Sequence, residues 1–261
     1  MKKILLLPIL LSISASLFAK ANFQSKTVRY QLDGTTFEST IVYSKDGDSS
    51  KPGILMVPNW MGPTEGSLQK AAKVASDKYI VMMVDMYGVQ TRPSNGQEAG
   101  AAAGAVRADR DLMRARSAKA LSVFKSEAKE LGLNANKVAA IGFCFGGGTV
   151  LELGRSGAEL DAIVSFHGDL LSPTLAEDAA STQAKVLVLH GADDPYVPQS
   201  DVETFVKTMQ GTNVDWQLVQ YSDTVHSFTN PEANSDGARY NAISSQRAFA
   251  AMEALLAEAW R

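Results

Sequence analysis

The sequence predicts an α/β protein built on a mostly parallel sheet of about eight strands with helices on both faces. Three observations predict it. Eight short runs rich in apolar and β-branched residues recur along the chain. From the third run onward, segments with helical spacing alternate with them, as in a sheet whose crossovers are helices. The runs that begin at Gly53, Lys137 and Ala184 are almost continuously apolar, the pattern of strands covered on both sides, so they are expected at the sheet centre. With 261 residues, 45% apolar and 20% charged, the chain falls in the range of ordinary folded proteins, and one domain suffices to hold it.

Residues 1–21 stand apart. Lys2 and Lys3 precede an apolar run at residues 4–18, and Ala19-Lys20-Ala21 supplies small residues before a cleavage point, so this segment reads as a secretory signal peptide. Pro8 and several serines break the run, which is short of the roughly 20 residues that a membrane span needs. That argues against an uncleaved anchor, and no cysteine lies near the cleavage point to accept lipid. The expectation is an exported, periplasmic protein in which residues 22–261 form a single domain without stable membrane insertion. Cleavage removes Lys2, Lys3 and Lys20, taking the formal net charge from −3 to −6. The densest basic segment, Arg107 to Lys119, is interleaved with Asp109 and Asp111, as on a solvated helix face, which excludes nucleic acid as a partner.

Along the mature chain, residues 26–31 and 37–43 read as two opening strands, and residues 53–57 as the first of the apolar ones. A helix is expected over residues 67–76 and a strand over 80–84. Residues 88–108, rich in Gly, Ala, Ser and polar side chains, read as an excursion over one end of the sheet, because strong strand signals continue beyond it. Then follow a helix at 109–131, a strand at 137–141, a helix at 145–154 and strands at 162–166 and 184–190. A helix at 199–209, a strand at 214–221 and a helix at 239–260 close the chain.

In such a sheet, ligands gather at the carboxyl ends of the strands. Cys144, the only cysteine, sits at one of these ends, within Gly142-Phe143-Cys144-Phe145-Gly146. This has the G-x-nucleophile-x-G form of a nucleophile elbow, whose turn is so tight that side chains at the flanking positions would clash. The helix that follows points its positive end at the sulfur and favours thiolate. A buried packing cysteine is the alternative. A phosphate loop lacks both the G-x-G-x-x-G spacing and a G-K-[ST] ending, and a redox thiol lacks a resolving cysteine. Past the next-but-one strand come Asp193 and Asp194, and past the last strand comes His226. Nucleophile, acid and histidine in this order match the chain order of an α/β-hydrolase triad. His190 at a strand end reads as structural, as does His167, and the three histidines show no metal-ligand spacing. Neither metal nor cofactor is expected, and the sequence sets no oligomeric state.

With Gly-Phe-Cys-Phe-Gly-Gly at 142–147, His-Gly-Ala-Asp-Asp-Pro-Tyr-Val-Pro at 190–198, His-Ser-Phe at 226–228 and Val84-Asp85-Met86-Tyr87-Gly88, the chain resembles the dienelactone hydrolase family, α/β-hydrolases with a cysteine nucleophile. The resemblance covers about Gly53 to the C-terminus. It implies a triad of Cys144, Asp194 and His226, with Asp194 chosen over Asp193 because the family's acid stands three residues before the Val of Val-Pro. It also implies an oxyanion hole from the backbone N–H groups of Trp60 and Phe145. Two departures matter. Asn59 stands where dienelactone-cleaving members have a glutamate, and Thr229-Asn230-Pro231 stand where they have an arginine for the substrate carboxylate. Asn59, Tyr87 and Arg92 remain candidates for substrate contact, Arg92 as a replacement charge. The implied partner is a small ester or lactone. The rival reading is an exported, non-catalytic ligand-binding protein on the same fold.

Overall fold

Residues 23–44 and 50–261 are described by a computed structural model; residues 1–21, expected to be a signal peptide, lie outside the described residues. Strands β1 (Phe23–Leu32) and β2 (Thr35–Ser44) form a hairpin. Its turn residues, Asp33 and Gly34, have φ of 47° and 76°, the left-handed backbone that a two-residue hairpin demands and that Asp-Gly supplies. The chain continues through β3 (Lys51–Val57), α1 (Glu65–Ala75), β4 (Ile80–Met83), α2 (Gly96–Ala108), α3 (Arg110–Glu127) and β5 (Leu133–Phe143). Then come α4 (Phe145–Arg155), β6 (Ala162–Phe166), the short α5 (Leu175–Asp178), β7 (Lys185–Gly191), α6 (Gln199–Gln210), β8 (Trp216–Tyr221) and α7 (Ala242–Ala259).

The eight strands form one sheet in the order β1-β2-β4-β3-β5-β6-β7-β8, antiparallel at β1-β2 and β2-β4 and parallel from there on. Alternate residues of β3 serve opposite faces. Leu55 and Val57 join Phe124, Val150 and Phe205 under α3, α4 and α6, while Ile54 and Met56 join Val74, Ala248 and Met252 under α1 and α7. Burial on both faces is what makes these strands continuously apolar.

Two expectations need correction. The apolar strand at Lys185–Gly191 lies one strand in from the edge, not at the centre; its apolarity reflects helices above and below. The excursion at residues 88–108 contains α2, whose Ala99, Ala103 and Val106 are buried. Its helical signal is weak because small residues form the buried stripe. The start is nevertheless encoded: the Asn95 side chain accepts the Glu98 N–H at 3.0 Å, and the Glu98 carboxylate accepts the Ser94 N–H at 2.8 Å, a near relative of the reciprocal capping box.

The glycines of the β5–α4 turn are fixed by contact. A Cβ at Gly142 would stand 2.0 Å from the Gly146 carbonyl oxygen, and one at Gly146 would stand 2.1 Å from that of Val57. Both neighbours are backbone, so neither can yield. Gly104 in α2 has nothing within 4 Å of its would-be Cβ. Gly146→Ala is therefore expected to cost about 3 kcal/mol or more in denaturant unfolding, and Gly104→Ala to raise stability by about 0.5–1 kcal/mol. A Gly146→Ala protein that unfolds like the parent would contradict this packing.

Candidate active site

Cys144 stands between β5 and α4 with φ 55° and ψ −118°, a conformation that costs a non-glycine residue on the order of 1–3 kcal/mol. The surroundings hold it there. Its N–H donates to the Phe166 carbonyl at 3.0 Å and toward His167 Nδ1 at 3.2 Å, and its carbonyl accepts the Gly147 N–H at 2.9 Å. Positive φ values recur at His167 and Ser227, so strain gathers at the carboxyl edge of the sheet. The thiol is half-buried at the head of α4.

His226 follows β8, and its Nδ1 hydrogen-bonds Asp194 Oδ2 at 2.7 Å. The other carboxylate oxygen, Oδ1, accepts the N–H groups of Tyr196 at 2.9 Å and Val197 at 3.2 Å. That turn locks Asp194 and leaves Asp193 exposed. Burial opposes a charge on His226, but the Asp194 hydrogen bond and the neighbouring Cys144 outweigh it, and its pKa is pushed up to about 10. The ring is also braced edge-on by Tyr196, with centroids 5.3 Å apart, and by His167 at 5.0 Å.

Residues 58–62 form a loop past β3. Asn59 turns its side chain into this loop, its Oδ1 accepting the Met61 N–H at 3.0 Å, and its carbonyl accepts the Gly62 N–H. Trp60 N–H and Phe145 N–H, at the loop and at the first turn of α4, take no other acceptor among the described residues. Both N–H groups are therefore open to a bound acceptor. Tyr87 joins their supports: its Oη donates to the Trp60 carbonyl at 2.8 Å, and its ring lies 5.6 Å from that of Phe145. Asp85 fixes Tyr87 in turn, accepting its N–H at 2.9 Å. Tyr87, a candidate for substrate contact, is thus engaged in positioning the loop. Arg92 is not a free charge: its guanidinium bonds Asp85 Oδ2 at 2.8 Å and the Gly88 carbonyl at 2.6 Å.

His167, read as structural from the sequence, makes hydrogen bonds that reach the site. It is fully buried, and burial foremost, then the charges of His226 and Lys70, hold its pKa well below the usual histidine value. An accepting Nδ1 puts its proton on Nε2, which bonds Thr229 Oγ1 at 2.9 Å. It therefore links the backbone of Cys144 to the segment after His226. Its place directly after β6, beside the elbow strand, is the only signal in the sequence. His190 is buried with Nδ1 unpartnered among the described residues, and burial lowers its pKa. No group of three or more His, Cys, Asp or Glu among the described residues could hold a metal ion.

Known proteins resemble the chain in sequence and in fold. The sequence model of the Dienelactone hydrolase family matches residues 38–260. The putative carboxymethylenebutenolidase of Salmonella typhimurium is 24% identical over 200 residues, covering 70% of each chain. The crystal structure of P91, a dienelactone hydrolase-like promiscuous phosphotriesterase from metagenomic libraries, is 33% identical with a TM-score of 0.84, covering 91% of this chain and 99% of that one. The solved structure of m3DLH is 31% identical with a TM-score of 0.83, covering 92% of this chain and 99% of that one.

The Tyr87 contacts make a test. Tyr87→Phe removes the hydrogen bond to the Trp60 carbonyl and keeps the ring against Phe145. It should lower kcat for an ester about tenfold or more with little change in KM, since a displaced oxyanion donor acts in the transition state. A shift in KM alone would make Tyr87 a substrate contact.

Proposed function

Because the chain belongs to the dienelactone hydrolase family and hydrolyses ester bonds, we propose that it cleaves small esters or lactones through Cys144, His226 and Asp194, by way of a thioester acyl-enzyme. The observation that carries this reading is the His226 Nδ1 to Asp194 Oδ2 bond at 2.7 Å, on a ring that Cys144 also perturbs. A histidine held between a carboxylate and a thiol is set up to take the thiol's proton.

The steps then follow from position. The Cys144 sulfur attacks the ester carbonyl carbon; a C–S bond forms, and the carbonyl electron pair moves to oxygen. The N–H groups of Trp60 and Phe145 receive that oxyanion. His226, protonated at Nε2, gives its proton to the leaving oxygen as the C–O bond breaks, while Asp194 holds the imidazole tautomer and stabilises the imidazolium. Water, losing a proton to His226, attacks the thioester; the C–S bond breaks, and sulfur leaves as thiolate. Asn59 faces its own loop, so no carboxylate from position 59 competes for the thiol's proton. Similarity to a promiscuous phosphotriesterase adds phosphotriesters to the substrates worth trying, since the same sulfur could attack phosphorus. Export of residues 22–261 belongs to the same proposal, with Asn22 as the first residue of the mature chain.

The test is hydrolysis of p-nitrophenyl esters, small lactones and a phosphotriester by the mature protein, beside Cys144→Ala and Cys144→Ser. Turnover by the parent and a loss of about a thousandfold or more in the alanine variant are expected. Turnover that survives Cys144→Ala would remove the thiol from the chemistry. A folded parent inert toward the whole panel would favour the ligand-binding reading.

A further inference from the structure

A cleft of about 690 Å³ lies between α1 and α7 at the carboxyl edge of the sheet. Met56, Asn59, Phe143, Thr229 and Phe249 line it, and Lys70 enters it from α1. Three of these residues tie the cleft to the catalytic centre: Phe143 precedes Cys144, Asn59 precedes Trp60, and Thr229 bonds His167. Lys70 is half-buried, with Nζ 4.1 Å above the centroid of the Phe143 ring.

What sets this lysine apart is partial burial without a counter-ion; Lys73 beside it also lacks a carboxylate but is exposed. Lys26, Lys78 and Lys185 each reach a carboxylate. The Lys70 ammonium has no carboxylate and no hydrogen-bond acceptor among the described residues, only the ring face. Burial, and then the charge of Lys73, push its pKa down to about 8, with Cys144 acting in the opposite direction. Removing a cation from water without a partner is unfavourable, and an aromatic face recovers only part of the loss. An anion entering the cleft would recover more. The other charged groups that line it, Lys73, Glu65 and Glu232, are exposed at its rim, so Lys70 is the charge an entering ligand meets inside.

We propose that this cleft is a subsite for the anionic end of the substrate's acyl group, with Lys70 as its counter-ion, so that the preferred substrates are half-esters of dicarboxylic acids. The proposal rests on the ester-hydrolase reading above and adds the charge of the acyl group to it. Met56, Phe143 and Phe249 supply apolar walls for the methylene chain between the two ends. Lys70 lies outside every motif that carries the family resemblance.

The test pairs p-nitrophenyl hexanoate with the p-nitrophenyl half-ester of adipic acid, which differ by a carboxylate in place of a terminal methyl. The half-ester should be favoured in kcat/KM on the order of tenfold at pH 7, chiefly through KM. The preference should shrink as pH rises through about 8. Lys70→Gln should bring the ratio of the two esters close to one, and Lys70→Arg should keep the half-ester ahead. A second readout needs no turnover: free adipate should protect Lys70 from 2,4,6-trinitrobenzenesulfonate, followed by peptide mass. An even ratio in the parent, a parallel fall of both esters in Lys70→Gln, or labelling that adipate does not slow would overturn the subsite. If neither ester is turned over, the hydrolase reading fails by itself, and adipate protection still decides the subsite.

Discussion

The hydrogen bond between His226 and Asp194 is the interaction around which the carboxyl edge of the sheet is organised. It joins the loop after β7 to the loop after β8, and the Cys144 thiol at the head of α4 acts on the same ring. Each loop is held independently. The Asp194 carboxylate is fixed by the Tyr196 and Val197 N–H groups, and the His226 N–H bonds the Gly237 carbonyl. Close packing serves the same end, since a Cβ at Gly191 would stand 2.4 Å from the Thr224 carbonyl oxygen. Pre-organisation of this kind removes reorganisation from the reaction itself, which is where electrostatic catalysis gains most.

Strain and support are paired around the site. Cys144 keeps its positive φ because the Phe166 carbonyl and His167 take its N–H, and because the bare glycines on either side admit the turn. Trp60 is braced from two directions. Tyr87 holds its carbonyl, while its indole lies against α2, where would-be Cβ atoms at Gly96 and Gly100 come within 3.6 and 3.7 Å of the ring. Side chains at these two positions would meet the indole at ordinary van der Waals distance, so Gly96 and Gly100 mark the face of α2 that Trp60 covers, while Ala99, Ala103 and Val106 are buried. Sub-ångström placement of oxyanion donors decides their worth.

How much of this the sequence carries depends on the kind of signal involved. The parallel sheet is legible because burial on two faces forces continuous apolar runs at β3, β5 and β7. The elbow is legible because its clash demands glycine at fixed spacing; chain order and strand ends point to His226 and narrow the acid to Asp193 or Asp194, and only the family resemblance selects Asp194. Roles set by side-chain direction are not. Tyr87 and Arg92 were visible as residues near a strand end, yet their partners, the Trp60 carbonyl and Asp85, depend on loop geometry. Lys70 on an amphipathic helix reads as a solvated charge; only the fold places it over Phe143 without an acid beside it.

The central claim is that Cys144, His226 and Asp194 act electrically as one unit, and the titration of His226 tests it most directly. Nitrogen-resolved NMR of the imidazole in the resting protein should find it protonated through neutral pH and titrating near 10. In Cys144→Ala and in Asp194→Asn the titration should fall, as each raising partner is removed in turn. A His226 that titrates near 6.5 in the parent and in both variants would contradict the account, leaving three neighbouring side chains without the coupling that the proposed chemistry needs.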